Sequence, residues 1–442
     1  MTTYWCEHAW IGGAPCSGVR LTVSGERFAA VETGVPAAPA DDILPGLVLP
    51  GFANVHSHTF HRALRGLAGT GDSFWKWRDT MYGVASRLDP DAYYEFARLA
   101  YREMLAAGYT AVGEFHYVHH QPDGTPYADP NATGAALIAA AHDAGIRLTL
   151  LDTLYLSSGF GAPLEPLQQR FGDGTVDAWL TRVEALTDDP TTRIGAAIHS
   201  IRAVSPAEAG RVAAWAQAGD RPLHVHLSEQ VRENERCQEQ LGTTPAQALA
   251  AVGVWGRRTT AVHATHLTDA DIAVLGEGGA LAGICPSTEA DLADGVPRLA
   301  ELTAAGTRVC IGSDQNVLTD GLREVQGLET AQRLLHGTRE NLDTAHLVEA
   351  LTVHGQFSLG WDDAGRLEAG ALADFVVIDT HRVALAGCQL PEVPRCASTA
   401  DVARVFVGGR DRTPADAEQV AAELDTRCRA LRAETASAKE TA

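Results

Sequence analysis

The stretch LVLPGFANVHSH, residues 47–58, runs through apolar and β-branched side chains and ends in two histidines spaced two apart. Seven further runs of this kind follow: Thr110 to Val118, Arg147 to Tyr155, Arg193 to Val204, Pro222 to Glu229, Thr259 to His266, Leu281 to Glu289 and Arg308 to Asp314. Their alternation with Ala- and Leu-rich amphipathic stretches is the signature of repeated β/α units. Two of those stretches, Asp91 to Ala107 and Asn131 to Ala144, stop at Gly108 and Gly145, the residue that best ends a helix. Eight such units predict an α/β fold, a TIM-like (β/α)8 barrel of the kind that takes about 250 residues before insertions.

The segment up to Leu44 reads instead as short strands and turns, as do Ala371 to Thr380 and Asp401 to Gly409. Strand-like segments on both sides of a barrel pair most simply into a small β-sandwich domain. The predicted organisation is residues 1–46 with 366–412 as sandwich, 47–365 as barrel, and 413–442 as a C-terminal helix and tail.

The chain has 442 residues, and 56 acidic against 35 basic side chains leave a net charge of −21, which repels nucleic acid and anionic membrane. No apolar run reaches the roughly 18–20 residues of a membrane span, and the start lacks a basic-then-apolar signal pattern; the expected location is the cytoplasm. The eight cysteines contain no Cys-x-x-Cys pair and read as reduced, packed thiols.

Barrel chemistry takes place at the C-terminal ends of the strands, so polar residues there carry the functional information. The runs end in His56 and His58, in Glu114 and His116, in His199 and Arg202, in His224, His226 and Glu229, in His263 and His266, and in Asp314. Residues two apart in a strand share a face, so His56 and His58 can reach one cation while His226 and Asp314 approach from the opposite wall. Three imidazoles and a carboxylate suit Zn2+, one per subunit, although iron or manganese also fits such a site. A bound divalent ion brings the pKa of water from 15.7 toward about 7. Glu229, just past a strand end, can shuttle the proton, with a solvated helix-end carboxylate as its plainer reading. His263 can stabilise charge or orient water, with a packed histidine as the rival.

These residues resemble the amidohydrolase superfamily through LPGFANVHSH, HVHLSE, VHATH and IGSD, between residues 47 and 315. Within its deaminase branch the formimidoylglutamate deiminase family is most similar, through HSHTFHRALRG (56–66), SFWKWRDTMY (73–82), GEFHYVHH (113–120), HSIRAVSP (199–206), HVHLSEQ (224–230), VHATH (262–266) and CPSTEADLADG (285–295). The resemblance implies zinc on His56, His58, His226 and Asp314, with Glu229, His263 and Asp314 handling protons and the attacking water. It also implies substrate contacts at His61, Arg78, Tyr117, His199 and Arg202, and a homodimer. His61 departs from the family, which carries Gln there. Some relatives bridge two metals through a carbamylated lysine, but the only lysines are Lys76 and Lys439, off the barrel strands, so a single-metal site is expected.

The implied reaction is hydrolysis of N-formimidoyl-L-glutamate to N-formyl-L-glutamate and ammonia in histidine degradation. Arginine forks at Arg78 and Arg202 suit the two carboxylates of that substrate. The rivals are deamination of another amidine, guanidino compound, purine or pterin, and a non-catalytic metal-binding protein. Taken singly, His61, His116, His119 and His120 read as loop or packing residues.

Overall fold

The computed structural model describes residues 1–67, 74–339 and 341–432, without the side chains of residues 74–77 and 79. The start of the SFWKWRDTMY motif and Lys439 thus lie outside the described residues, and Lys76 is described only as backbone of the helix Phe74–Ala85. In chain order the strands are β1 (Thr2–Ile11), β2 (Ala14–Ser24), β3 (Arg27–Glu32), β4 (Asp42–Pro50), β5 (Phe52–Ser57), β6 (Tyr109–His116), β7 (Arg147–Leu154), β8 (Thr192–Ile198), β9 (Leu223–Leu227), β10 (Thr259–His263), β11 (Leu281–Ile284), β12 (Arg308–Ile311), β13 (Phe375–Ile378), β14 (Val402–Val407) and β15 (Arg410–Asp411).

Strands β5 to β12 form an eight-stranded sheet, each parallel to its sequence neighbour. Every residue of β5, β6, β7, β9, β10 and β11 is buried, because helices cover the outside and side chains fill the inside. The ring closes through the chain just past β12. Ser313 and Asp314 donate their N–H groups to the His56 carbonyl at 3.0 and 2.9 Å, and the His58 N–H donates to the Asp314 carbonyl at 3.0 Å. Gly312 is required at this seam, since a Cβ there would stand 2.7 Å from His56 Cβ and 2.8 Å from its carbonyl oxygen.

The remaining strands make one seven-stranded sheet, ordered β15-β14-β13-β4-β1-β2-β3, that draws on both chain ends. Its outer strand curls back to bridge Leu372 through Arg27, so Tyr4, Val19, Leu21, Phe28, Phe375 and Phe406 share a second core. The two layers of the expected sandwich are therefore two halves of one curled sheet.

The strands are shorter than the runs that predict them, and three of the differences are instructive. Residues 47–58 divide at Gly51, Leu47 to Pro50 pairing with β13 in the second sheet while β5 opens the barrel. An uninterrupted apolar run has no periodicity to mark where one sheet hands over to the other. Leu281 to Glu289 stops as a strand at Ile284, and Pro286 begins a helix, Pro286–Asp291, at the position where its missing N–H costs nothing. Arg193 to Val204 likewise stops at Ile198.

One buried ion pair locks the barrel floor to the second sheet. Arg147, at the start of β7, donates Nε and Nη2 to the Asp374 carboxylate at 2.8 and 3.2 Å, and Asp374 also accepts the Gly408 N–H at 2.7 Å. Both side chains are fully buried. Arg147→Met leaves an uncompensated carboxylate there and is expected to cost about 3–5 kcal/mol of stability, read as a lowered midpoint in urea unfolding.

Candidate active site

The mouth of the barrel is built by sharp turns at the strand ends. Ser228, His263, Ala264, Asp314 and Asn316 all adopt positive φ, between 45° and 68°, so the chain leaves β9, β10 and β12 abruptly and aims side chains inward. Such backbone is uncommon outside glycine and concentrates at functional sites. Glu114, at the end of β6, accepts hydrogen bonds from the Thr59 N–H at 2.8 Å and from the Thr59 hydroxyl. Its carboxyl, raised to about 8 by burial, thereby ties down the 3-10 turn Thr59–Leu64 that carries His61. The C-terminal helix, Ala417–Arg432, supports the same turn, with Arg432 donating to the Ala63 and Arg65 carbonyls at 2.5 and 3.1 Å.

His56, His58, His226 and Asp314 converge. His226 Nε2 lies 3.1 Å from His56 Nε2, and Asp314 Oδ1 lies 3.2 Å from His56 Nε2 and 3.4 Å from His58 Nε2. Four ligands around one tetrahedral ion with bonds of about 2.0–2.1 Å stand about 3.3 Å apart. The donor chemistry fits as well. His58 Nδ1–H donates to the Phe115 carbonyl at 3.0 Å and His226 Nδ1–H to the His199 carbonyl at 2.9 Å, which turns the Nε2 lone pairs toward the centre. Burial pushes all three imidazoles toward the neutral form that binds metal, His58 to about 3 with help from His56. This donor set fits a divalent cation.

Beside it stand the proton-handling candidates. Glu229 Oε1 is 3.9 Å from His263 Nε2, and on the far side of the ring Glu289 Oε1 is 3.4 Å from Nδ1. Burial opposes charge on His263, but Glu229, Glu289 and Asp314 outweigh it and lift its pKa to about 10. Glu289 closes the run Leu281 to Glu289 but lies past the strand, in the helix Pro286–Asp291, so the strand-end reading does not single it out. Its backbone anchor, the Cys285 N–H at 2.9 Å, fixes the carboxylate against His263.

Of the donors, His58, His226 and Asp314 open into a cavity of about 360 Å³ that His61, Arg78, Tyr117, His199 and Arg202 also line. All five expected substrate contacts therefore reach one space. His61 Nε2 and the Tyr117 hydroxyl lie 3.0 Å apart, so the histidine that replaces the family's Gln is hydrogen-bonded to another of these residues. Arg202 turns its Nε toward Glu233 Oε2, 3.6 Å away. Burial works against the Arg202 charge, but Glu233 and Glu229 prevail and raise its pKa. Arg78 lies 3.6 Å from Glu165 and 5.5 Å from the centre of the Tyr82 ring. Tyr82, Tyr155, Phe171 and Gln168 complete one wall. Tyr155 directly follows β7, whereas Tyr82, Gln168 and Phe171 come from the helical segments Phe74–Ala85 and Pro166–Phe171, outside the strand ends, where strand-end patterns hold no signal for them.

The other strand-end histidines face elsewhere. His224 Nε2 lies 3.1 Å from the Ser358 hydroxyl at the barrel floor. His116, His119 and Asp152 form a separate buried trio. There Asp152 is occupied by Arg182 at 2.6 and 2.8 Å and by Trp179 Nε1 at 2.9 Å, and His119 Nε2 donates to the Thr153 carbonyl at 2.9 Å. An aspartate so engaged is part of a packing network.

The chain is 38% identical over 404 residues, 88% of each chain, to formimidoylglutamate deiminase of Pseudomonas aeruginosa. It is 28% identical over 88% of each chain to 5'-deoxyadenosine deaminase of Methanothermobacter thermautotrophicus. The crystal structure of an amidohydrolase from Brucella melitensis superposes with a TM-score of 0.88 at 33% identity, covering 98% of this chain and 100% of that one. No helix among the described residues is long and apolar enough to cross a membrane. The amidohydrolase family model matches residues 47–411, a span that contains all eight barrel strands and the returning strands of the second sheet. By that match the chain belongs to the amidohydrolase family, as a hydrolase of C–N bonds.

Proposed function

We propose that the chain is a zinc-dependent formimidoylglutamate deiminase of histidine degradation, converting N-formimidoyl-L-glutamate and water into N-formyl-L-glutamate and ammonia. The observation that carries this reading is the meeting of Arg78 and Arg202 with His58, His226 and Asp314 of the donor set in one cavity. In a chain of net charge −21, cations held at that point select an acidic substrate. The 38% identity to the Pseudomonas enzyme supports the same choice.

His56, His58, His226 and Asp314 would hold the ion, which when bound supplies an acidified water and polarises the amidine. The chain's own groups do the rest. Glu229 takes the proton from the incoming water and returns it to the nitrogen that departs as ammonia. His263, held between Glu229 and Glu289, faces charge that develops at the attacked carbon. Arg202, braced from behind by Glu233, and Arg78 hold the two carboxylates, while Tyr117, His61 and His199 shape the space between.

A purine-like substrate would find aromatic walls here, as the deoxyadenosine relative suggests. The amide on that wall is already committed, however. Gln168 Nε2 donates to the Tyr82 and Tyr155 hydroxyls at 3.0 and 2.9 Å, and its oxygen accepts the Glu165 N–H at 2.9 Å. Both N–H groups of that amide are thereby taken.

Ammonia release from N-formimidoyl-L-glutamate, its aspartate homologue and 5'-deoxyadenosine by the zinc-loaded chain tests the reading. Turnover confined to the acidic amidines is expected, and turnover of the nucleoside alone would overturn it. Arg202→Gln should raise KM for formimidoylglutamate by about 10- to 100-fold, the size of a lost charged hydrogen bond.

A further inference from the structure

Two arginines with no task in that mechanism, Arg232 and Arg236, line the same cavity. They lie four residues apart in the helix Val231–Leu241, so they share one stripe of its surface, and both are exposed. The helix also offers Glu235 and Glu239, three residues beyond each arginine. Elsewhere such a neighbour pairs, as Glu301 does with Arg298 at 3.0 Å. Arg232 and Arg236 make no ion pair or side-chain hydrogen bond among the described residues, and lie instead along the mouth of the cavity.

We propose that Arg232 and Arg236 form an outer capture site for dicarboxylate ligands, which engage it before they reach Arg78 and Arg202; the inference rests on the acidic substrate proposed above. A dianion approaching a protein of net charge −21 is repelled at long range. Two unpaired guanidinium groups at the rim oppose that repulsion within about 10 Å at 0.1 M salt, the distance over which charges in water remain visible. Such rim charges act on encounter and selectivity more than on the bound transition state. They favour dicarboxylates over neutral amidines before any contact with the inner arginines.

The test compares R232Q/R236Q with R427Q/R429Q. The control removes the same two charges from the C-terminal helix, where Arg427 and Arg429 pair with Glu95 and Asp425. For the metal-loaded rim variant, kcat/KM on N-formimidoyl-L-glutamate is expected to fall about five- to tenfold at an ionic strength of about 0.02 M and less than about twofold at about 0.5 M. The control should change less than about twofold at either strength. An equal loss at both strengths, or the same loss in the control, would overturn the proposal. Calorimetric titration with glutarate gives a second readout that needs no turnover. The rim variant should bind it several-fold more weakly at low salt, and equal affinity in both variants would overturn the capture site. Should the wild-type chain fail to deaminate formimidoylglutamate, the functional reading falls, while the glutarate titration still decides this one.

Discussion

Glu229→Gln should lower kcat by about 10²–10⁴-fold, the range for removing a positioned general acid or base, while the variant keeps its full complement of divalent ion. The two halves of that expectation separate a proton shuttle from a structural role. Glu229 belongs to none of the ligand contacts around His56, yet its Oε1 lies 3.9 Å from His263 Nε2 and its side chain lines the cavity. Gln preserves size and polarity but cannot accept and return a proton. Ammonia release under saturating formimidoylglutamate, set beside metal content by mass spectrometry, is the measurement. A Gln variant that turns over at the wild-type rate would remove Glu229 from the mechanism.

Removal of the ion should be at least as costly. Chelation, or His226→Asn, is expected to reduce turnover by more than about 10³-fold, since the several kcal/mol of charge stabilisation that a catalytic cation supplies are lost together with the acidified water. Re-addition of zinc should restore the chelated wild type but not the variant. The stoichiometry is informative too. One ion per chain is expected, because in the second histidine cluster Asp152 is taken by Arg182 and Trp179. Two tightly held ions, or full turnover by the chelated protein, would contradict the site described here.

Much of this site is legible in the amino-acid order alone. Strand-end histidines at His56, His58 and His226 and the carboxylates Glu229 and Asp314 announce themselves because a barrel has little structural use for ionisable groups at its rim. His224 shows where that signal fails. It shares β9 with His226, two residues away and so on the same side of the strand, yet it reaches Ser358 at the barrel floor. Position along the strand, which periodicity does not report, decides between floor and mouth. Glu289 and Glu233 escape detection for a different reason, since each acts by bracing another side chain and lies in a helix whose placement depends on where the preceding strand stops.

The repeating strand-and-helix order, the residue types at the mouth and the charge of the molecule follow from local patterns and from counting, so the primary structure suffices for them. Three-dimensional packing was needed to establish that residues 47–58 serve two sheets and that the second sheet curls into its own core. It was needed equally to bring Arg78 and Gln168, from separate helix and loop segments, to the strand ends in one cavity. These are outcomes of contact between segments far apart in the chain, where no short-range spacing carries the information.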